Sequence, residues 1–305
     1  RDRVDIEGSG RDVTFIVSDT SLSFSNATVR VPSNITAELR QLTVQHFSGS
    51  SGIGVDIAAS GFLLTEVNIE TKDELQSIGV RTTNSSPRLN EIFARVISGT
   101  QGIGVQIVGG GTVVTESFAL ASQQNERNVA WHVTRDANAV LERIVALASS
   151  AEENYAVLID EVAGAELTNA RGTALGRTAV GLYLTREATG DIKESTFRSL
   201  SDSFSVALQL DGRARAKATE STFEADPIAL DHLSVFAVRL SDRGTLDSNQ
   251  SNFDGTSFAA QNVGAGQGRF GASQLIGSVV STSLTGFQCI FSYNGSYTAR
   301  NALCL

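Results

Sequence analysis

Few side chains in this chain sit where chemistry could follow. Asp226, Asp231 and His232 share one stretch, EADPIALDHLSV, at residues 224–235. Two carboxylates facing each other across a glycosidic bond can hydrolyse it, one as acid and one as base. A solvated loop is the competing reading of this stretch. Glu66, Glu91 and Glu116 recur every 25 residues (91 − 66, 116 − 91). Carboxylates stacked roughly 5 Å apart repel unless water, salt or a cation intervenes. Ca²⁺ is the cation such a row would take, although the ion wants about six or more oxygens. Cys289 and Cys304 are the 2 cysteines of the chain, which points to a disulfide and an oxidising compartment.

A third set is a mixed polar column: Asp56, Arg81, Gln106, His132, Leu158, Tyr183, Gln209, Arg239 and Gln261. Planar polar groups with a Tyr and a His could hold a sugar chain, or could be an ordinary solvated sheet face. Beside it runs a column of small residues: Gly54, Gly79, Gly104, Ala130, Ala156, Gly181, Ala207, Ala237 and Ala259. Close approach by a ligand or a neighbouring subunit would select it. So would a corner in which a β-carbon is crowded, and that reading is preferred because every repeat shows it.

These columns exist because a short phrase recurs. It reads IGVDI at Ile53, IGVRT at Ile78, IGVQI at Ile103, VAWHV at Val129, YAVLI at Tyr155, VGLYL at Val180 and VALQL at Val206. The steps are 25, 25, 26, 26, 25 and 26 residues (78 − 53 through 206 − 180). A fixed period of this size marks a solenoid. Within the phrase, apolar residues alternate, as Ile53, Val55 and Ile57 do, so each phrase is a strand with alternate side chains turned into a core.

A second strand follows with lead column Leu64, Leu89, Val114, Leu141, Leu167, Ile192 and Ala218. A possible third has the column Ile69, Ala94, Ala119, Ala146, Gly172, Phe197 and Phe223. Two or three strands per coil, each on its equivalent in the next coil, make a parallel β-helix. About ten coils at roughly 4.8 Å give a rod on the order of 50 Å long. Leu39 extends the lattice back one coil (64 − 39 = 25), and the register slips near residues 224–235. Residues 1–286 form the β-helix. Residues 287–305 form a C-terminal cap, with a hairpin at Tyr293-Asn294-Gly295-Ser296 pinned by the Cys289–Cys304 bridge.

Composition narrows the partners. The net charge is −9 with pI ≈ 4.9, which disfavours nucleic acid and anionic lipid. No run of apolar residues reaches the length of a membrane span, so membrane insertion is not expected. The chain has no Met, even at position 1, and opens mid-pattern, which implies that an N-terminal segment has been removed.

The lattice resembles the right-handed parallel β-helix, or pectin-lyase-like, superfamily. The opening VDIEGSGRDVTFI is similar to the first coil of its pectinesterase-like members. LRQLTVQHF and the end SQLIGS…FQCIFSYNGSYTARNALC resemble a group of secreted bacterial repeat proteins of unassigned function. The resemblance implies an all-β, single-stranded right-handed parallel β-helix and says little of activity. The Asn-Thr-Asp, Asp-Asp and Gly-His-Gly set of polygalacturonases is missing, as are the pectin methylesterase and pectate lyase stretches.

The expectation is a secreted or cell-surface protein with a structural, adhesive or carbohydrate-binding role. Its partner would be a polysaccharide or another protein. The alternative is a polysaccharide-active enzyme, a lyase or a glycoside hydrolase, on the loops near Asp226, Asp231 and His232.

Overall fold

The computed structural model describes residues 4–18, 27–47, 50–73, 75–97, 99–123, 125–228, 234–281, 286–290, 292–294 and 304. Among these, every helix-or-strand element is a strand. The strands pair in parallel from one coil to the next throughout. Each coil contributes to three stacks. The first contains Gln76–Thr83 and Gln101–Val108, the second Arg88–Asn90 and Val113–Thr115, and the third Phe93–Ile97 and Phe118–Ser122. The third strand is therefore real in every coil.

Registers follow the columns read from the sequence. Val55 pairs with Val80 and Val80 with Val105 in the first stack. In the second, Leu64, Leu89, Val114, Leu141 and Leu167 follow one another. In the third, Ile69, Ala94, Ala119, Ala146, Gly172, Phe197 and Phe223 do so. All of the second- and third-stack members that are hydrophobic are buried. Bulk is shared out within each coil: Trp131 fills the first stack where the third offers Ala146, and Phe197, Phe223 and Phe253 fill the third further on. Those three rings stack at 6.0 and 5.2 Å between centroids. A β-carbon on Gly172 would lie 2.6 Å from the Phe197 ring, so the first ring of the run needs a glycine beneath it.

One expectation is corrected. The coil-start residues Ile53, Ile78, Ile103, Val129, Tyr155, Val180, Val206 and Phe236 do not enter the tube. They form a second apolar cluster separate from the main core. The ladder steps from Ile53–Ile78 to Val55–Val80 past Gly54, so the alternation changes phase there. Gly54 and Val55 both face inward, and Ile53 lies on the outer side. The small-residue column is accordingly internal. A β-carbon on Gly79 would sit 2.5 Å from Gly104 O, and one on Gly104 2.6 Å from Ala130 O. The crowded-corner reading explains that column.

Two corners of the coil are left-handed. Between the second and third stacks, Glu66, Glu91, Glu116, Arg143, Asn169, Glu194 and Glu220 have φ of 53, 50, 49, 51, 53, 49 and 51°. In the later coils a buried serine follows the bend. Ser195 Oγ donates to Lys193 O (2.7 Å) and accepts from Ala170 N–H (3.0 Å); Ser221 and Ser251 repeat the pattern. These hydroxyls satisfy backbone groups that the sharp turn takes out of the ladder.

The extra residues of the register slip lie between Thr222–Pro227 and Val235–Asp242. At the far end, Phe287–Ile290 and Tyr293–Asn294 still pair in parallel with the preceding coil, so winding continues to Asn294. The rest of the expected hairpin lies outside the described residues. The Cys289–Cys304 disulfide is present, with both residues in the core at the end of the tube. Cys289 continues the inward column of Ser248 and Phe270. A crosslink closing a loop of this length contributes about 3 kcal/mol.

Val105 is 0 % exposed, and its neighbour Gln106 faces outward. Val105→Asp is expected to cost more than about 3 kcal/mol, because it leaves an unpaired carboxylate in the tube. Gln106→Asp should stay within about 0.5 kcal/mol. Urea unfolding of both variants checks this, and equal losses would contradict the inward and outward assignment.

Candidate functional site

The mixed polar column lies on the outer face of the first stack, next to the second apolar cluster. Its members bond to one another along the axis. Arg81 donates to both carboxylate oxygens of Asp56, at 2.9 and 2.8 Å. Gln106 meets His132 Nδ1 at 3.4 Å, and His132 Nε2 meets Asp160 Oδ2 at 3.2 Å. Tyr183 OH donates to Asp211 (3.2 Å), and Arg239 Nε donates to Gln261 Oε1 (3.1 Å). Gln209 is buried in its own coil. Arg127 lies over the Tyr155 ring at 5.7 Å, and Arg239 over Phe204 at 5.3 Å. Tyr155 and Tyr183 stack at 5.6 Å between centroids. Burial pushes both phenols above their usual range, with Glu153 adding to the effect at Tyr155 and Asp211 at Tyr183. The face is thus a self-bonded ladder over an apolar floor.

The acidic row is the left-handed corner described above. Glu116 pairs with Arg143 at 2.8 Å, and Glu66 accepts from Gln41 Nε2 at 3.4 Å. Among the described residues no three His, Cys, Asp or Glu side chains form a group that could hold a metal ion.

Asp226 lies in the third-stack strand Thr222–Pro227, where Arg198 Nη2 holds it at 3.0 Å and Thr256 Oγ1 donates to it at 3.3 Å. Beside it, burial and then the Asp226 charge push the Asp254 carboxyl up. Asp231 and His232 lie outside the described residues.

A concavity lies elsewhere, on the outer face of the second stack. It is a trough of about 570 Å³ that crosses coils from Asn138 to Arg269. Ladder pairing gives it two walls. One carries Val140, Glu166, Asp191, Lys217, Asp247 and Arg269; the other Asn138, Gly164, Thr189, Arg215, Thr245 and Gln267. Between them run small or apolar inward residues such as Ala165, Gly190 and Ala216. Six coils cover about 24 Å of axis. Three carboxylates and three cations line the trough, so its charges balance. Lys193 Nζ grips Asp191 Oδ2 at 2.8 Å, while Asp191 Oδ1 is buried without a hydrogen-bond partner. Sequence reasoning missed this site. Its only signal was charge recurring at coil spacing from Glu166 to Arg269, in an outward row whose residue type changes at every step.

Asp160 supplies a stability test of the first-stack ladder. Burial pushes its carboxyl up, but hydrogen bonds from His132 and Thr134 outweigh this, and the group sits below its usual value. A depressed carboxyl stabilises the fold above its unfolded pKa, and that contribution is lost as pH falls through the folded value. Asp160→Asn should lower neutral-pH stability by about 1.5 kcal/mol and flatten the decline below about pH 4. Thermal melts from pH 3 to 8 check this, and an unchanged acid limb would contradict it. No family model matches the chain, and no curated protein or solved structure matches it either.

Proposed function

We propose that the protein is a secreted or cell-surface β-helix of the pectin-lyase-like type that holds a linear, uncharged polysaccharide without cleaving it. The trough carries this reading. It is open, runs lengthwise over six coils, and offers mixed donors and acceptors with no excess charge. A polyanion would find Glu166, Asp191 and Asp247 opposing it; a hydroxyl-rich chain can use both signs. All three carboxylates stand on one wall, facing Arg215 and neutral residues on the other. Glycoside hydrolysis needs an acid and a base flanking the bond, which one wall cannot supply. The disulfide fits an oxidising compartment, and no helix in the described residues is long and apolar enough to cross a membrane.

A second reading rests on Asp254 and Asp226. Burial and the Asp226 charge push the Asp254 carboxyl up, while Asp226 pairs with Arg198 at 3.0 Å; two neighbouring carboxyls in such different surroundings are what glycosidases use. It keeps a polysaccharide-active enzyme as the runner-up.

Titration calorimetry against neutral and acidic oligosaccharides separates them. Affinity for neutral chains should rise with length until the trough is filled. The double variant Asp191→Asn, Lys217→Gln should lose about tenfold, the equivalent of roughly 1.4 kcal/mol. No reducing ends or unsaturated products should form. Binding indifferent to that variant would sink the trough as the site. Turnover abolished by Asp254→Asn would favour the enzyme.

A further inference from the structure

The outer row of the third stack begins with an aromatic ring, drops to two short polar side chains, and returns to rings. Its ladder order is Phe15, Thr43, Asn68, Phe93 and Phe118. Phe93 and Phe118 stack with their planes 5° apart, as neighbouring aromatics on one sheet face do. That pairing uses one face of Phe93. The other face looks back along the axis over Asn68. Phe15 is 50 % exposed and has no ring beside it, because its ladder partner is Thr43. Three steps of about 4.8 Å set Phe15 and Phe93 about 14 Å apart along the row, with a two-coil gap between them.

The gap has sides as well as ends. On one side runs the next outward row, Gln45, Glu70 and Arg95. Gln45 Nε2 donates to Glu70 Oε2 at 3.2 Å, and Arg95 Nη1 lies 3.5 Å from Glu70 Oε1. On the other side, the turn before Phe15 folds over the corner. Arg11 Nη2 donates to Glu91 O at 2.9 Å, and Thr43 Oγ1 donates to Arg11 O. That turn sets Asp12 on the rim. The resulting notch has a volume of about 230 Å³, with Phe15 and Phe93 at its ends and Thr43 and Asn68 on its floor. Pockets for drug-sized ligands begin near roughly 300 Å³, so this one takes a single ring unit.

Its polar groups decide which ring. Among the described residues, the side chains of Asn68 and Asp12 have no hydrogen-bond or ion-pair partner. Gln45 keeps its side-chain carbonyl free to accept. An aromatic ligand would stack on Phe93 but would cover these groups without bonding to them. A phosphate or carboxylate would face Asp12 and Glu70, and Arg95 already pairs with Glu70. A pyranose matches both halves of the notch. Its C–H face is apolar, and its hydroxyls both donate and accept.

We propose that this notch is a second carbohydrate site. It holds one neutral pyranose unit, with the C–H face on Phe93, hydroxyls at Asn68, Gln45 and Glu70, and Phe15 closing the far end. The notch lies in the first four coils, on the third-stack face. The trough lies on the second-stack face from Asn138 onward, so the notch stands or falls without it.

The test uses the full chain labelled with fluorophenylalanine and read by fluorine NMR, with cellobiose, maltose, xylobiose and mannobiose as probes. Phe15→Leu and Phe93→Leu assign the two resonances and keep apolar bulk at exposed positions. At least one disaccharide should shift both resonances saturably. Phe93→Leu should weaken that binding by about tenfold, read at Phe15, and Asn68→Ala should weaken it too. The double variant Asp191→Asn, Lys217→Gln should leave the shifts unchanged, which separates the notch from the trough. No saturable shift with any of these sugars would overturn the proposal. So would full affinity in Phe93→Leu, or shifts lost only in the trough variant. Indole should move the two resonances less than the best sugar does, and the reverse order would overturn the ligand class.

Discussion

One constraint underlies the molecule: each strand must pair in parallel with its equivalent one coil away, about 4.8 Å along the axis. The interior then cannot be designed coil by coil. Whatever side chain one coil turns inward becomes the floor for the next. Alanine follows alanine through Ala94, Ala119 and Ala146, and phenylalanine follows phenylalanine from Phe197 to Phe253. Where the run changes size, a glycine takes up the difference, as Gly172 does under Phe197. The corners answer to the same rule. Residues of quite different chemistry, from Glu66 to Arg143 and Asn169, accept one left-handed conformation because the stack demands the bend at that point.

This constraint explains what was legible beforehand. Columns that face the core repeat in kind, so the period and the second and third inward rows could be read directly, while the third strand was legible only as a possibility. The phase of the first strand could not. Ile53 looks like a core residue and Gly54 like a surface one, yet the ladder skips at Gly54 and reverses them. An apolar residue that packs in an outer cluster carries the same letter as one in the tube. The trough was invisible for the opposite reason. Outward rows are free to vary, so Glu166, Asp191, Lys217, Asp247 and Arg269 do not announce themselves as one wall, and the register slip near residue 230 blurs their spacing further.

The same winding separates the molecule into faces with different uses. The first-stack face spends its polar groups on itself, through Asp56 with Arg81 and His132 with Asp160. The second-stack face leaves a charge-balanced channel, and the third carries the stacked Phe93 and Phe118 rings, 4.9 Å apart. One face of the rod is thus self-satisfied, and another carries an open channel.

The claim on which all of this stands is that axial distance is set by coil number. Arg88 and Arg269 are exposed and lie in one outward row, seven ladder steps apart through Val113, Val140, Glu166, Asp191, Lys217 and Asp247. Spin labels on Arg88→Cys and Arg269→Cys, measured by pulsed dipolar spectroscopy, should give one narrow distance near 34 Å, seven steps of about 4.8 Å. A broad distribution, or a mean displaced by two coils or more, would contradict it.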